Sequence, residues 1–169
     1  MTAPMTTLRK GISSPGISRL LFATDVLSQP ASEAMLKNEP LLHHQCSRAL
    51  PIASEDDIVV LQGALDEAYY QWLRSLGLST EKVVTYGEQY ASGPLSEIIM
   101  ANPAPLTSLL SDPSDYNYVA FYLSERDIEC AHSLGVHPFG CDEETTKKYF
   151  DKLSFKQECE ALGIKTVEG

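Results

Sequence analysis

Five short apolar or aromatic runs alternate with helical stretches along this 169-residue chain, and that alternation restricts the fold more than any other feature. The runs are "RLLFA" (Arg19 to Ala23), "DIVVLQ" (Asp57 to Gln62), "KVVTY" (Lys82 to Tyr86), "YVAFYL" (Tyr118 to Leu123) and the short "GVHPFG" (Gly135 to Gly140). The middle three are continuous rather than alternating, as strands covered on both faces require. Interleaved with helices, they predict an α/β fold: a Rossmann-like parallel sheet with helices on both faces.

The helices have their own signatures. Leu65, Ala68, Tyr69, Trp72, Leu73 and Leu76 recur at helical spacing and form one predicted apolar stripe, with Gly77 as its stop. Residues 31–50 predict one interrupted helix or two, because Pro40 falls inside; Pro94 to about Leu110 is broken near "NPAP". Ser124 with Asp127 has capping-box spacing and opens a helix that runs to Leu134. Asp142 caps another, with Glu143 and Glu144 in its first turn and Lys147 and Lys148 near its end. "SFKQ" (Ser154 to Gln157) predicts a capping box starting the last helix, which stops at Gly163.

Charge narrows the partners. Residues 1–24 carry Arg9, Lys10 and Arg19 and no acid, a local +3, so of the net -10 the remaining residues hold -13. A body that acidic repels phosphate backbones and anionic bilayers, which argues against nucleic acid and membrane surfaces as partners. No apolar run approaches the ~20 residues that cross a bilayer. The start lacks the apolar core of a secretory signal, and residues 1–17 are expected to be a mobile tail; their basic, Ser/Thr-rich character leaves an organelle transit peptide as the minority reading. Cys46, Cys130, Cys141 and Cys159 form no C-x-x-C, so reduced thiols and a cytoplasmic location are expected.

In open α/β sheets ligands bind beyond the carboxyl ends of the strands. Those positions are Thr24 to Ser28, Gly63 to Glu67, Gly87 to Gln89 and Ser124 to Asp127. Gly63 and Gly87 either admit a ligand close to the backbone or simply make tight turns. No G-x-G-x-x-G, Walker loop or G-x-S-x-G elbow is present. Cys130, His132, His137 and Cys141 have metal-like spacing, but Cys130 and His132 point about 200° apart on a helix, so a buried Cys130 and a surface His132 are expected. The acidic "SEDD" (Ser54 to Asp57) lies at the amino end of a strand and reads as a solvated turn.

From Tyr122 onward, "YLSERDIECAHSLGVHPFGCDEETTKKYFDKLSFKQECEALGIKTVEG" resembles the junction in ATP-grasp ligases such as biotin carboxylases and carbamoyl-phosphate synthetases. There a Rossmann-like preATP-grasp domain ends in a strand, a helix, a glycine turn, a short helix, "DK" or "DR", and an amphipathic helix closed by "lGi". The matching residues are Leu134 to Val136, Gly140, Asp151-Lys152, Phe155 and Leu162-Gly163-Ile164, with "LSE" (Leu123 to Glu125) a looser echo.

The resemblance implies a preATP-grasp domain over 18–141 and junction helices over 142–169. It implies ATP and Mg²⁺ as cofactors, Lys152 facing the nucleotide phosphates, and loops at Gly63, Gly87, Ser124 and Glu125 facing a carboxylate and an amine (or thiol) substrate. The glycine-rich phosphate loop and the Mg²⁺ ligands of the family would lie beyond Gly169, in an ATP-grasp domain or a partner chain. The chain alone is therefore expected to be inactive, with an exposed apolar surface around "LGIKTVEG" that favours association, including homo-oligomers. The rival expectation is a free-standing Rossmann-like module that binds a small molecule or regulates without catalysis. A small α/β enzyme using one of its cysteines is the third.

Overall fold

In the computed structural model the described residues are 16–26, 40–87 and 93–166, with the side chains of 40–43 outside the description. The expected mobile tail falls almost wholly outside them, as do parts of the predicted helix at 31–50 and of the loops after Val26 and Gly87. Five parallel strands form one sheet: β1 (Arg19–Ala23), β2 (Ile58–Gln62), β3 (Val83–Tyr86), β4 (Tyr116–Ala120) and β5 (His137–Pro138). Their order is β3-β2-β1-β4-β5, and every pairing is parallel. The α/β, Rossmann-like expectation holds.

Strand periodicity builds two cores. Successive side chains point to opposite faces, so Leu21, Ala23, Ile58 and Val60 join one cluster while Leu20, Phe22, Val59 and Leu61 join the other. On the first face the sheet is covered by α2 (Leu95–Ala101), α3 (Ala104–Thr107) and α4 (Glu125–Leu134), through Ile98, Ile99, Leu106, Cys130, Ala131 and Leu134. On the second face the 3₁₀ helix Pro40–Ala49 supplies Cys46 and Ala49, and α1 (Glu67–Ser75) supplies Leu73. Two-sided cover explains why the strand runs are continuous and why β2 is buried throughout.

The helix ends follow their local chemistry. Gly77, Gly135 and Gly163 take positive φ after α1, α4 and α6 (Lys152–Ala161). At each, two amides turn back to the helix, as Gly163 N–H to Glu160 O (3.0 Å) and Ile164 N–H to Cys159 O (2.8 Å) show for α6. The predicted capping box at Ser124 is present: Ser124 Oγ accepts from Asp127 N–H (3.2 Å), and Asp127 accepts from Ser124 N–H (3.0 Å). Asp142 caps α5 (Glu143–Phe150) through Thr145 N–H.

Three local expectations change. The last helix is capped by Asp151, not Ser154; Asp151 Oδ1 accepts the Ser154 amide (2.8 Å), which places the start three residues earlier. Along α1 the predicted stripe is too wide: Leu73 is buried, but Trp72 is 57% and Leu76 55% exposed, since the row Ala68-Trp72-Leu76 turns off the sheet while Tyr69, Tyr70 and Leu73 meet it. Asp57 is no solvated turn residue. It is fully buried and accepts from Leu20 N–H (2.9 Å), Ser54 N–H (2.8 Å) and Ser54 Oγ (2.9 Å), tying β1 to the entry of β2. Among the described residues no helix is long and apolar enough to cross a membrane.

Candidate functional site

Two locations compete as the site: the carboxyl edge of the sheet and the C-terminal helical hairpin. The sheet reverses its winding between β1 and β4, and the crevice beyond that switch point is where this architecture places ligands. Thr24 and Asp25 follow β1. The Asp25 carboxylate is 4% exposed and accepts the Leu95 amide at the start of α2 (3.3 Å), while Thr24 Oγ1 donates to Cys46 O (3.4 Å). Cys46 Sγ in turn accepts from Gln62 N–H (3.2 Å), and Gln62 Nε2 donates to Gly93 O (3.1 Å). This network joins the ends of β1 and β2 to the 3₁₀ helix and the entry of α2. Sequence reasoning reached the Thr24 stretch by topology alone and missed Cys46 and Gln62, whose partners are distant in the chain.

The predicted strand-end residues have structural duties. Gly63 adopts φ +92, donates its N–H to Tyr86 O (2.7 Å), and would meet nothing within 4 Å if it carried a Cβ. It is needed for a turn conformation, not for a close approach. Gly87 follows β3, so the Gly63–Tyr86 bond brings these two glycines together at one end of the edge. Ser124 is almost buried and its hydroxyl is consumed by Asp127 (2.6 Å). Glu125, exposed at the start of α4, contributes to the field around Lys147.

Buried titratable groups in this region are shifted away from nucleophilic chemistry. Burial pushes the Cys46 thiol up, and burial pushes Cys130 up to about 12. Neither is a thiolate at neutral pH, so neither meets the first requirement of a cysteine nucleophile. Burial, with the nearby Asp127 carboxylate adding to it, raises the Tyr118 phenol well above its ordinary value; its hydroxyl donates to Asp127 Oδ1 (3.2 Å). Cys130 is buried and His132 exposed, as helix geometry requires, and no cluster of three metal-ligating side chains occurs among the described residues.

The hairpin is built differently. It consists of α5 and α6, joined at Asp151, which both ends α5 and caps α6. Its turn rests on the loop after β4: Phe150 meets Tyr122 edge-on at 5.0 Å and Phe121 at 6.1 Å, and the Arg48 guanidinium lies 5.7 Å over Phe121. Gly140, between β5 and α5, takes φ +152, a conformation that favours glycine, and lies against the Leu123 side chain. Beyond that footing α6 packs on α5 and buries only Cys159.

Lys152 lies in the first turn of α6 and lines a groove of about 610 Å³. Lys152, Phe155, Lys156 and Cys159 form one face of the helix, and Ile164 and Lys165 close the groove from the returning chain. The lining is mainly apolar, because the lysine stems add to Phe155 and Ile164, and it includes no acidic residue. Lys147 pairs with Glu143 (2.6 Å), Lys148 with Glu158, and Lys156 more loosely with Glu160 (4.0 Å). Among the described residues Lys152 and Lys165 have no ion-pair partner. The structure thus separates Lys152 from Gly63, Gly87 and Ser124: none of the strand-end residues lines its groove.

Compared with family models, curated proteins and solved structures, the chain finds no match in any of the three.

Proposed function

We propose that the chain is the N-terminal, nucleotide-facing domain of an ATP-dependent carboxylate–amine ligase of the ATP-grasp type. ATP with Mg²⁺ would activate a carboxylate as its acyl phosphate, and an amine would displace the phosphate. On this reading the chain supplies one wall of the cleft, and the phosphate loop and Mg²⁺ ligands belong to further subdomains or a partner chain. Phosphoryl transfer depends almost wholly on positioning and charge neutralisation, so this wall alone does not catalyse.

The observation that carries the reading is the placement of Lys152. It stands in the first turn of a capped helix, exposed, in a groove lined by no acidic residue and shared with Phe155. A cation there favours a phosphate; a lysine placed only for solubility has no need of the groove. The parallel sheet and the junction motif around Asp151-Lys152 agree with it.

The test is a coupled assay of the native protein purified from its source, with carboxylates and amines in turn and hydroxylamine to trap acyl phosphate. ADP release should require a carboxylate, and Lys152→Ala should raise the KM for ATP by roughly tenfold, the scale of one charge-assisted phosphate contact. An unchanged KM and turnover in Lys152→Ala would remove Lys152 from the nucleotide site.

The buried network at the β1/β4 switch point favours a second reading, a free-standing Rossmann-like module that binds a small molecule at the strand ends. Specific capture of a metabolite, abolished by changes around Thr24 and Asp25 and indifferent to Lys152→Ala, would establish it instead.

A further inference from the structure

We infer that the hairpin groove is a self-sufficient site for an amphipathic polyanion, a flat apolar body carrying two or more phosphates, with Lys156 and Lys165 completing a three-lysine cradle begun by Lys152. It rests on the reading above only for the choice of ATP as the first probe.

Three observations lead there. The volume of about 610 Å³ falls in the range of small-molecule pockets, ~300–1,000 Å³. The floor is apolar, formed by Phe155, Ile164 and Cys159, and Phe155 (53% exposed) and Ile164 (54%) are left uncovered by the fold. The third is charge: Lys152 and Lys156, one turn apart on α6, and Lys165 all line the groove, no carboxylate lines it, and Lys156 has only a loose pair with Glu160 (4.0 Å) to give up to a ligand.

An apolar ligand alone would leave the lysines unused, and inorganic phosphate alone would leave the floor wet. A nucleotide, with a stacking ring and a charged tail, uses both. The body of the protein is acidic, so a cradle of this kind also localises the attraction for anions that the net charge of -10 otherwise opposes. Because all the lining residues belong to residues 152–166, the site needs no contribution from the sheet edge.

The experiment is a calorimetric titration of the whole chain at low salt, without Mg²⁺, with three probes: ATP, inorganic tripolyphosphate and adenosine. ATP should bind, tripolyphosphate should compete for the same site more weakly, and adenosine should bind weakest. Lys156→Glu and Lys165→Glu should each weaken ATP about three- to tenfold, as reversal of one exposed charge contact predicts. Phe155→Ala should weaken ATP and leave tripolyphosphate unchanged. These side chains are at least partly exposed, and circular dichroism of each variant confirms that the fold is kept.

Absence of ATP binding to the chain would overturn the inference while leaving the ligase reading intact, since that reading draws most of its phosphate ligands from elsewhere. So would ATP binding that Lys152→Ala abolishes and both Lys156→Glu and Lys165→Glu leave unchanged. Tripolyphosphate and ATP binding equally, with Phe155→Ala silent, would overturn the apolar half of the site. Binding lost in all the lysine variants, by a protein with no ligase activity in any assay, would uphold the groove and remove the ligase.

Discussion

The sheet and the hairpin put their apolar side chains to opposite use. In the sheet Leu20, Leu21, Ile58, Val59 and Val60 are fully buried, whereas in the hairpin Leu153, Phe155 and Leu162 are 64%, 53% and 74% exposed. The sheet is saturated by its own helices on both faces. The hairpin is held by aromatic contacts at its turn and by caps, and leaves its apolar surface uncovered. The first region is closed on itself, whereas the second leaves apolar surface open, and on the proposed reading that open surface is where recognition takes place.

Mutations should break this symmetry most visibly in the core. Ile58→Ala removes a buried side chain from the middle of β2 and should cost about 2–5 kcal/mol in urea unfolding. Phe155→Ala, of larger volume but exposed, should cost no more than about 0.5 kcal/mol. Equal costs at the two positions would mean that the hairpin is part of the cooperative core.

Asp57→Ala comes next, at about 2 kcal/mol, because the Leu20 amide inside the sheet loses its acceptor. Caps then give a matched pair. Ser124→Ala should lower global stability by about 1 kcal/mol, since α4 packs on the sheet through Cys130, Ala131 and Leu134. Asp151→Ala removes the same kind of cap from α6, and its effect should appear as lost helicity with little change in the urea midpoint.

The smallest expected effect is on acid stability of the hairpin. The Thr145 amide holds the Asp142 carboxyl below its ordinary value, and the Ser154 amide does the same for Asp151. A carboxyl depressed in the folded state lends stability above its unfolded value, ~3.9, and loses it as pH falls through the lower folded value. Helical signal from the hairpin should therefore fade below about pH 4, while near-ultraviolet signals from the buried tyrosines persist at that point. Simultaneous loss of both would contradict the division.

Much of this division was legible in the chain. Arg19 to Ala23 forms β1 as predicted, because a run bounded by Pro-Gly and covered on both faces has few alternatives. The strand β4 begins at Tyr116, two residues before the apolar run suggests, because Asn117 is buried in the ladder beside β1 and β5. Local glycine and capping signals located Gly77, Gly135, Ser124 and Asp142. They failed at Ser154, which lies inside the helix because Asp151, three residues earlier, takes the cap by accepting the Ser154 amide. Long-range facts left no local trace: Asp57 reaches Leu20 across 37 residues, and Cys46 meets Gln62 across 16. At the candidate site Lys152 was reached through the junction motif, but the groove depends on Lys165 returning beside α6, which no spacing rule announces.

Whether the hairpin, rather than the sheet edge, is the recognition surface is decided by hydrogen exchange with and without ATP. Recognition by the hairpin gives slow exchange in β1, β2 and β4, fast exchange in α6, and ATP-dependent protection confined to residues 152–166. Protection appearing instead at Thr24, Asp25 and the start of α2, with the hairpin unchanged, would contradict it.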